Sequence, residues 1–265
     1  SGALTADSIG TNTLTDNETV GTGTVDYKEG DASADLETSD NESLTITDGS
    51  LASGFPLKSG ESGTFSVTLW YKAESLGSFR ALVSKLDNGV ANSKTFQIRD
   101  SNGTLEFYIG HTSGTGYELL DASYTSLTTG IWYHIGATFN NTTKAWQLRV
   151  WNDTTGTEVY NGSGTTVNNI ATTSAPFAIG AAHGGGTAKY FIDGLMDEIV
   201  VFKDILTIGE IDQITQGTYA EVFIPTTTTT LFPPTTTTTL PPPQNDFSGD
   251  GNAVALWSVD NGALT

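Results

Sequence analysis

FIDGLMDEIVVFKDILTIGEIDQI, residues 191–214, holds the change of pattern on which the fold turns. Its first half belongs to a strand-like run, KYFIDGLMDEIVVFKD at 189–204. Its second half sets Ile208, Ile211 and Ile214 at helical spacing and runs to Gly217, a stop signal. One strand followed by one short helix is expected, the helix lying across a sheet edge. Upstream, every apolar run reads as strand. TFSVTLWYKA at 64–73 alternates, with Phe65, Val67, Leu69 and Tyr71 on one face, and RALVSKL follows at 80–86. TFQIRD at 95–100 and TLEFYIG at 104–110 flank Ser101-Asn102-Gly103, a hairpin turn signal. IWYHIGATFN at 131–140 and KAWQLRVWN at 144–152 flank another turn, Asn141-Thr142-Thr143, and APFAIGA follows at 175–181. This spacing predicts an all-β, multi-stranded antiparallel sandwich with one short helix.

Composition narrows the function classes. The 265 residues suffice for one large sandwich plus an appendage. The net charge of −19, with only 11 Lys and Arg, disfavours nucleic acid and anionic membrane surfaces. It attracts divalent cations, and it also serves simply to keep an exported protein soluble. Cysteine is absent, which removes disulfides and thiolate zinc sites. No leader-like segment or apolar run of spanning length is read in the sequence, so the chain is expected to be a processed product or an excised segment. Asn-X-Ser/Thr triplets at Asn17, Asn41, Asn102, Asn140, Asn141, Asn152 and Asn161 matter only if the source glycosylates exported proteins.

Three parts separate by composition. Residues 1–224 look globular. Residues 225–244, PTTTTTLFPPTTTTTLPPPQ, are low in complexity, and residues 245–265 return to globular composition. Prolines in the middle part oppose helix and central strand, and the threonine runs favour extension. Polyproline II at ~3.1 Å per residue would make it a semi-rigid spacer of roughly 60–70 Å; a floppy tether is the plainer alternative.

FIDGLMDEIVVFKDILTIGEIDQI resembles the end of laminin G-like jelly-roll domains of the concanavalin A-like lectin/glucanase class, in which an aromatic-x-Asp-Gly strand with an Asp-Glu pair precedes a helix starting Leu-[Ser/Thr]-x-x-Glu-Ile. SVTLWYKA at 66–73 and GIWYHIGATFN at 130–140 are similar to two further strands of that family, in the same order. The resemblance covers residues from about 64 to 217 and implies a concanavalin A-like jelly roll. Such domains begin with a strand of the form AVALWSVD, which here stands at the far end, in AVALWSVDNGALT at 253–265. The segment that should follow it, ADSIGTNTLT, stands at 6–15, and the word Gly-Ala-Leu-Thr occurs at both 2–5 and 262–265.

A sandwich lacking a strand exposes an apolar trough and unpaired edge groups. The displaced strand offers Ala255, Trp257 and Val259 on one face and Val254 and Leu256 on the other. Burying them is worth at most ~5–10 kcal/mol. Three destinations are open: the strand's own body, the next subunit, or the next domain of a tandem array. The spacer favours the latter two. The expectation is therefore an extracellular filament or surface fibre of identical subunits joined head-to-tail by donor-strand complementation. The alternative is a carbohydrate-binding or adhesion module of a tandem-repeat cell-surface protein.

The resemblance also implies a structural Ca²⁺ held by Asp7, the Gly10 backbone oxygen, Asn12 and Asp197, all hard oxygen donors. Thr11 stands between Gly10 and Asn12, where the family places Asn directly after Gly. The plainer alternative makes Asp7 and Asn12 turn residues and pairs Asp197 with backbone amides. Glycoside hydrolases of this class carry Glu-x-Asp-x-x-Glu on a strand. The nearest string here, from Glu210 through Asp212, ends on Thr215 and reads as helix, and Asp197 and Glu198 point to opposite faces of a strand. No enzyme is expected. His134 is expected to be structural, and His111 and His183 lie in glycine-rich loops. For a glycan ligand, Tyr117, Tyr124, Trp151 and Tyr160 are the candidate stacking faces, unless they fill the core.

Overall fold

A computed structural model describes residues 4–219 and 244–258. The chain runs through β1 (Thr15–Asn17), β2 (Gly21–Gly23), β3 (Ser33–Leu36), β4 (Ser43–Ile46), β5 (Phe65–Ala73) and β6 (Arg80–Leu86). It continues through β7 (Lys94–Ser101), β8 (Thr104–His111), β9 (Gly116–Tyr124), β10 (Trp132–Phe139), β11 (Ala145–Asn152) and β12 (Thr157–Thr165). Then follow β13 (Phe177–Ile179), β14 (Ala182–His183), β15 (Ala188–Lys189), β16 (Gly194–Phe202), helix α1 (Ile208–Thr215) and β17 (Ala253–Trp257).

Two antiparallel sheets face each other in a jelly-roll sandwich. One has the order β1-β4-β13-β6-β7-β8-β9 and the other β12-β11-β10-β5-β16-β3-β2, while β14 and β15 form a small separate ribbon. Period-2 alternation explains the core between them. Phe65, Val67, Leu69 and Tyr71 of β5 meet Phe96, Ile98, Phe107 and Ile109 of the facing sheet, all fully buried. The β7–β8 hairpin turns through Asn102 and Gly103 with φ of 54° and 87°, the left-handed pair that this turn requires.

Strands β5, β10 and β16 are buried on both faces, because α1 covers part of the outer side of their sheet and Trp70, Trp132 and Leu195 pack together with Trp151 on another part of it. Here the structure corrects the expected edge position of the helix. Ile211 packs over Gly136 in β10, and Ile211 and Ile214 join Val200 and Phe202 of β16 in a second apolar cluster. Helical periodicity shows that one face is apolar but not whether it meets an edge or a face. The helix starts on a capping box: Thr207 accepts from the Glu210 amide, and the Glu210 carboxylate accepts from the Thr207 amide.

The displaced strand sits in its own body. β17 runs antiparallel to β16 with Ile199 opposite Trp257, Val200 opposite Leu256 and Val201 opposite Ala255. Ala255 and Trp257 enter the core between the sheets and Leu256 the outer cluster, as alternation requires. Val254 departs from the expected face and packs on the inner cluster, because a register shift between Val201 and Phe202 breaks the alternation there. Trp257 stacks on Phe177 at 5.3 Å and donates from Nε1 to the Asn12 carbonyl at 3.0 Å.

The expectation that the tail completes a neighbouring body is thus not what this structure shows: β17 pairs with β16 of its own chain. The physical reason lies at the root of the Thr/Pro segment. The Asp246 amide donates to the Tyr219 carbonyl at 2.7 Å, and the Tyr219 amide to Asn245 Oδ1 at 2.9 Å. The rings of Tyr219 and Phe247 stack at 5.2 Å, so the described residues on either side of 220–243 meet. The extended state expected for 225–243 and the place expected for Val259 lie outside the described residues.

Candidate functional site

The outer face of the β7–β8–β9 edge carries side chains that the core does not use. On β7 the residues alternating with Phe96 and Ile98 are Gln97 and Arg99; on β8 they are Glu106 and Tyr108. The register sets Arg99 opposite Glu106 and Gln97 opposite Tyr108. Arg99 pairs with Glu106, donates from Nη2 to the Tyr108 hydroxyl at 2.9 Å, and lies 4.5 Å from the Tyr108 ring and 4.7 Å from the Phe79 ring. Tyr108 and Tyr117 stack nearly parallel at 4.6 Å, and the Tyr117 hydroxyl donates to Gln97 Oε1 at 2.8 Å. Burial pushes the Tyr117 hydroxyl well above its ordinary range, so it remains a donor at neutral pH.

Gln97, Arg99, Tyr117 and Phe79 of this group also line a cleft of about 230 Å³, together with Leu86, Asn88, Lys94 and Tyr190. Among the described residues the lining holds two cations and no carboxylate, in a chain of net charge −19. Lys94 reaches over the Tyr117 ring at 6.0 Å, and the only hydrogen-bond partner of its ammonium among the described residues is the Thr115 carbonyl at 3.4 Å.

The rim is built under strain. Phe79 and Tyr190 have φ of 63° and 60°, a left-handed backbone that bulky residues rarely adopt. The two residues are 47% and 38% exposed. The Ala81 amide donates to the Tyr190 carbonyl at 2.8 Å and so ties the two sides of the rim together. Beside Asn88, Asp87 accepts from the Gly185 and Gly186 amides, both at 2.7 Å. The glycine-rich loop after His183 is therefore tied down by the Asp87 carboxylate.

The sequence-derived candidates fall in different places. Asp7, Gly10 and Asn12 do come together, but as a hydrogen-bonded lock. Asp7 Oδ1 accepts from the Gly10 amide at 2.9 Å and the Leu256 amide at 3.1 Å, and Oδ2 accepts from the Asn12 amide at 2.9 Å and Asn12 Nδ2 at 2.8 Å. Asn12 turns its amide nitrogen toward Asp7 and Val254, while its oxygen accepts from Ala52 at 2.8 Å. A cation needs that oxygen facing Asp7, so this donor set does not fit one. A side chain at Gly10 would meet the Val254 carbonyl within 2.7 Å, which explains the glycine. Asp197 is engaged elsewhere, its Oδ2 accepting from the Lys28 amide at 2.8 Å and the Glu29 amide at 3.2 Å.

Of the four candidate aromatics, Tyr117 alone lines the cleft. Tyr124 is buried against Tyr133 and Tyr160, Tyr160 donates to Asp121, and Trp151 packs with Trp70 and Trp132 on the other sheet. His134 is structural as expected: it lies buried in β10 with Nδ1 2.7 Å from the Thr215 hydroxyl. Glu210 is occupied in the capping box and Asp212 pairs with Arg149. Sequence reading missed Phe79, Lys94, Gln97, Arg99 and Tyr190. The one signal available was the strand parity that sets Gln97 and Arg99 on the face opposite Phe96 and Ile98, and it reaches only those two.

The family model for the concanavalin A-like lectin/glucanases superfamily matches residues 39–212. The chain belongs to that superfamily. No curated protein matches it. Among solved structures this superfamily member is similar to a mutant of the NanB sialidase from Streptococcus pneumoniae, with a TM-score of 0.52, 20% identity, and 69% of this chain covering 27% of that one. It is also similar to the binding domain of botulinum neurotoxin serotype D, with a TM-score of 0.51, 14% identity, and coverage of 76% and 47%. A third likeness is to the CBM40 of Ruminococcus gnavus IT-sialidase bound to alpha2,3 sialyllactose, with a TM-score of 0.47, 16% identity, and coverage of 57% and 82%. At these identities the likeness is one of fold. Among the described residues, no helix is long and apolar enough to cross a membrane.

Proposed function

We propose that this chain is a lectin-like carbohydrate-binding module of a secreted or cell-surface protein, and that it holds an acidic sugar residue in the cleft between Phe79 and Tyr190. The observation that carries this reading is the lining: two partly exposed aromatics kept at positive φ in a cleft that also holds Lys94 and Arg99. Backbone strain of this kind costs of order 1–3 kcal/mol per residue and persists where surrounding structure imposes it, often at ligand clamps. Aromatic faces accept the C–H face of a sugar ring, while Asn88, Gln97 and Lys94 offer hydrogen bonds to its polar edge. A ligand carboxylate would pair with Lys94, the lining cation that has no acidic partner among the described residues. The cleft volume is below the ~300–1,000 Å³ typical of small-molecule sites, which suits one terminal residue of a glycan.

The reading is of binding without catalysis. Glycoside cleavage takes two carboxyl groups flanking the bond, and none lines the cleft among the described residues. A glycan array probed with purified chain, followed by calorimetry on the best hit, tests the proposal. Lys94→Ala and Tyr190→Ala should each weaken binding about tenfold, which corresponds to about 1.4 kcal/mol. Lys94→Ala should spare neutral analogues of the same sugar. An array without hits, or binding untouched by both substitutions, sinks it.

A further inference from the structure

We propose that Glu106, which stands behind the cleft and not in its lining, sets the charge of the ligand: by neutralising Arg99 it leaves Lys94 as the one uncompensated cation and selects sugars with a single negative charge. The inference rests on the carbohydrate reading and adds to it a specificity-determining residue and a ligand class, sugar acids as against phosphorylated sugars. It begins with strand register. Arg99 and Glu106 are cross-strand partners on β7 and β8, where opposite charges attract directly. Arg99 Nε donates to the Glu106 carboxylate and Nη2 to the Tyr108 hydroxyl at 2.9 Å, while the guanidinium lies 4.5 Å from the Tyr108 ring and 4.7 Å from the Phe79 ring. The two side chains of the pair are only 14% and 15% exposed, so salt and solvent screen their attraction little. Arg99 therefore enters the cleft as a fixed spacer between aromatic rings that brings no net charge with it.

Lys94 is placed differently. An ammonium has three protons to donate, and this one makes a single long bond to the Thr115 carbonyl and no ion pair among the described residues. Asp87, the carboxylate beside Asn88 in sequence, is buried and spends its oxygens on the Gly89, Gly185 and Gly186 amides. Two lining cations less the carboxylate behind one of them leave one positive charge. The carboxylate of a sugar acid matches that charge in one charge-assisted bond. A phosphate monoester carries about −1.5 to −2 at neutral pH. Its excess charge would lose water in the cleft without gaining a partner, in a chain already at −19. Glu106 is the residue that decides this because it is absent from the lining. Removing its charge changes what the cleft can neutralise while every lining side chain stays in place.

The test titrates the full chain with glucose and galactose, their uronic acids and their 6-phosphates, followed by NMR shifts at neutral pH. The unaltered chain should bind a uronic acid about tenfold more tightly than its parent sugar, and the 6-phosphate no more tightly than the uronic acid. Glu106→Gln keeps the side-chain shape and frees the guanidinium, so it should raise affinity for the 6-phosphate about tenfold relative to the uronic acid. Adding Arg99→Gln to Glu106→Gln should abolish that gain, an outcome that mere loosening of the wall would not produce. Asn88→Asp reaches the same balance from the other side: a carboxylate placed in the lining should bring the uronic acid down to the affinity of the parent sugar, and this arm stands whether or not Glu106→Gln folds. The proposal is overturned by an unaltered chain that prefers the 6-phosphate, by a ratio that Glu106→Gln leaves unchanged, by a gain that survives in the double variant, or by a uronic acid preference that survives Asn88→Asp. A chain that binds neither acid better than the parent sugar overturns the acidic-sugar reading as well; a uronic acid preference indifferent to these variants overturns the role of Glu106 alone.

Discussion

His134 shows how one buried side chain ties stability to pH. Burial, and then the nearby Arg149 and Lys28 charges, push its imidazole down to about 3. In the unfolded chain the ring takes up a proton below about pH 6.5. The sign follows from the two values: between about 6.5 and 3 the unfolded state binds a proton that the folded state refuses. Stability should therefore fall as pH drops through that window, with a slope approaching ~1.4 kcal/mol per pH unit from this residue. His134→Gln should flatten the slope by about one proton in denaturant titrations at several pH values. An imidazole NMR shift with a midpoint near 6.5 in the folded protein would rule the account out. At this scale the sequence told the role of His134, since it lies in an unbroken strand pattern. It could not tell the positive φ of Phe79 and Tyr190, because no local rule places bulky aromatics there and the strain is set by tertiary contacts.

Among the elements, the loop around Asp7 and the β17 strand behave as one unit. The Asp7 carboxylate collects amides from its own loop and from Leu256 across the strand, so loop and strand lock each other. Asp7→Ala should cost about 1–3 kcal/mol in denaturant unfolding, because it orphans partly buried donors. EDTA should leave the melting temperature unchanged; a drop of several degrees on chelation, reversed by Ca²⁺, would show that a cation and not the hydrogen-bonded lock organises the loop. Strands and hairpins were legible in the sequence because alternation and the Asn102-Gly103 turn are local signals. The seat of α1 was not, since an apolar helical stripe fits an edge and a face equally well. The facing of Val254 was not legible either, because the register shift between Val201 and Phe202 arises from pairing with β16. Tyr124, Trp151 and Tyr160 drew notice as aromatics, yet residue type alone does not say which side of a sheet is dry.

For the molecule as a whole, a chain of net charge −19 carries a cleft whose described lining includes Lys94 and Arg99 and no carboxylate. Screening by salt should therefore affect the proposed acidic ligand more than a neutral one. The superfamily membership, the sandwich and the displaced first strand could all be read in the chain. Which body receives that strand could not, because a contact set is silent about the covalent path between its halves. The meeting of Tyr219 with Asp246 has a practical outcome. A protease site engineered between residues 220 and 243 would nick the chain without dismantling it: the pieces should co-purify under native conditions and part only in denaturant, leaving a short C-terminal peptide that behaves as a removable and replaceable ligand of the larger piece.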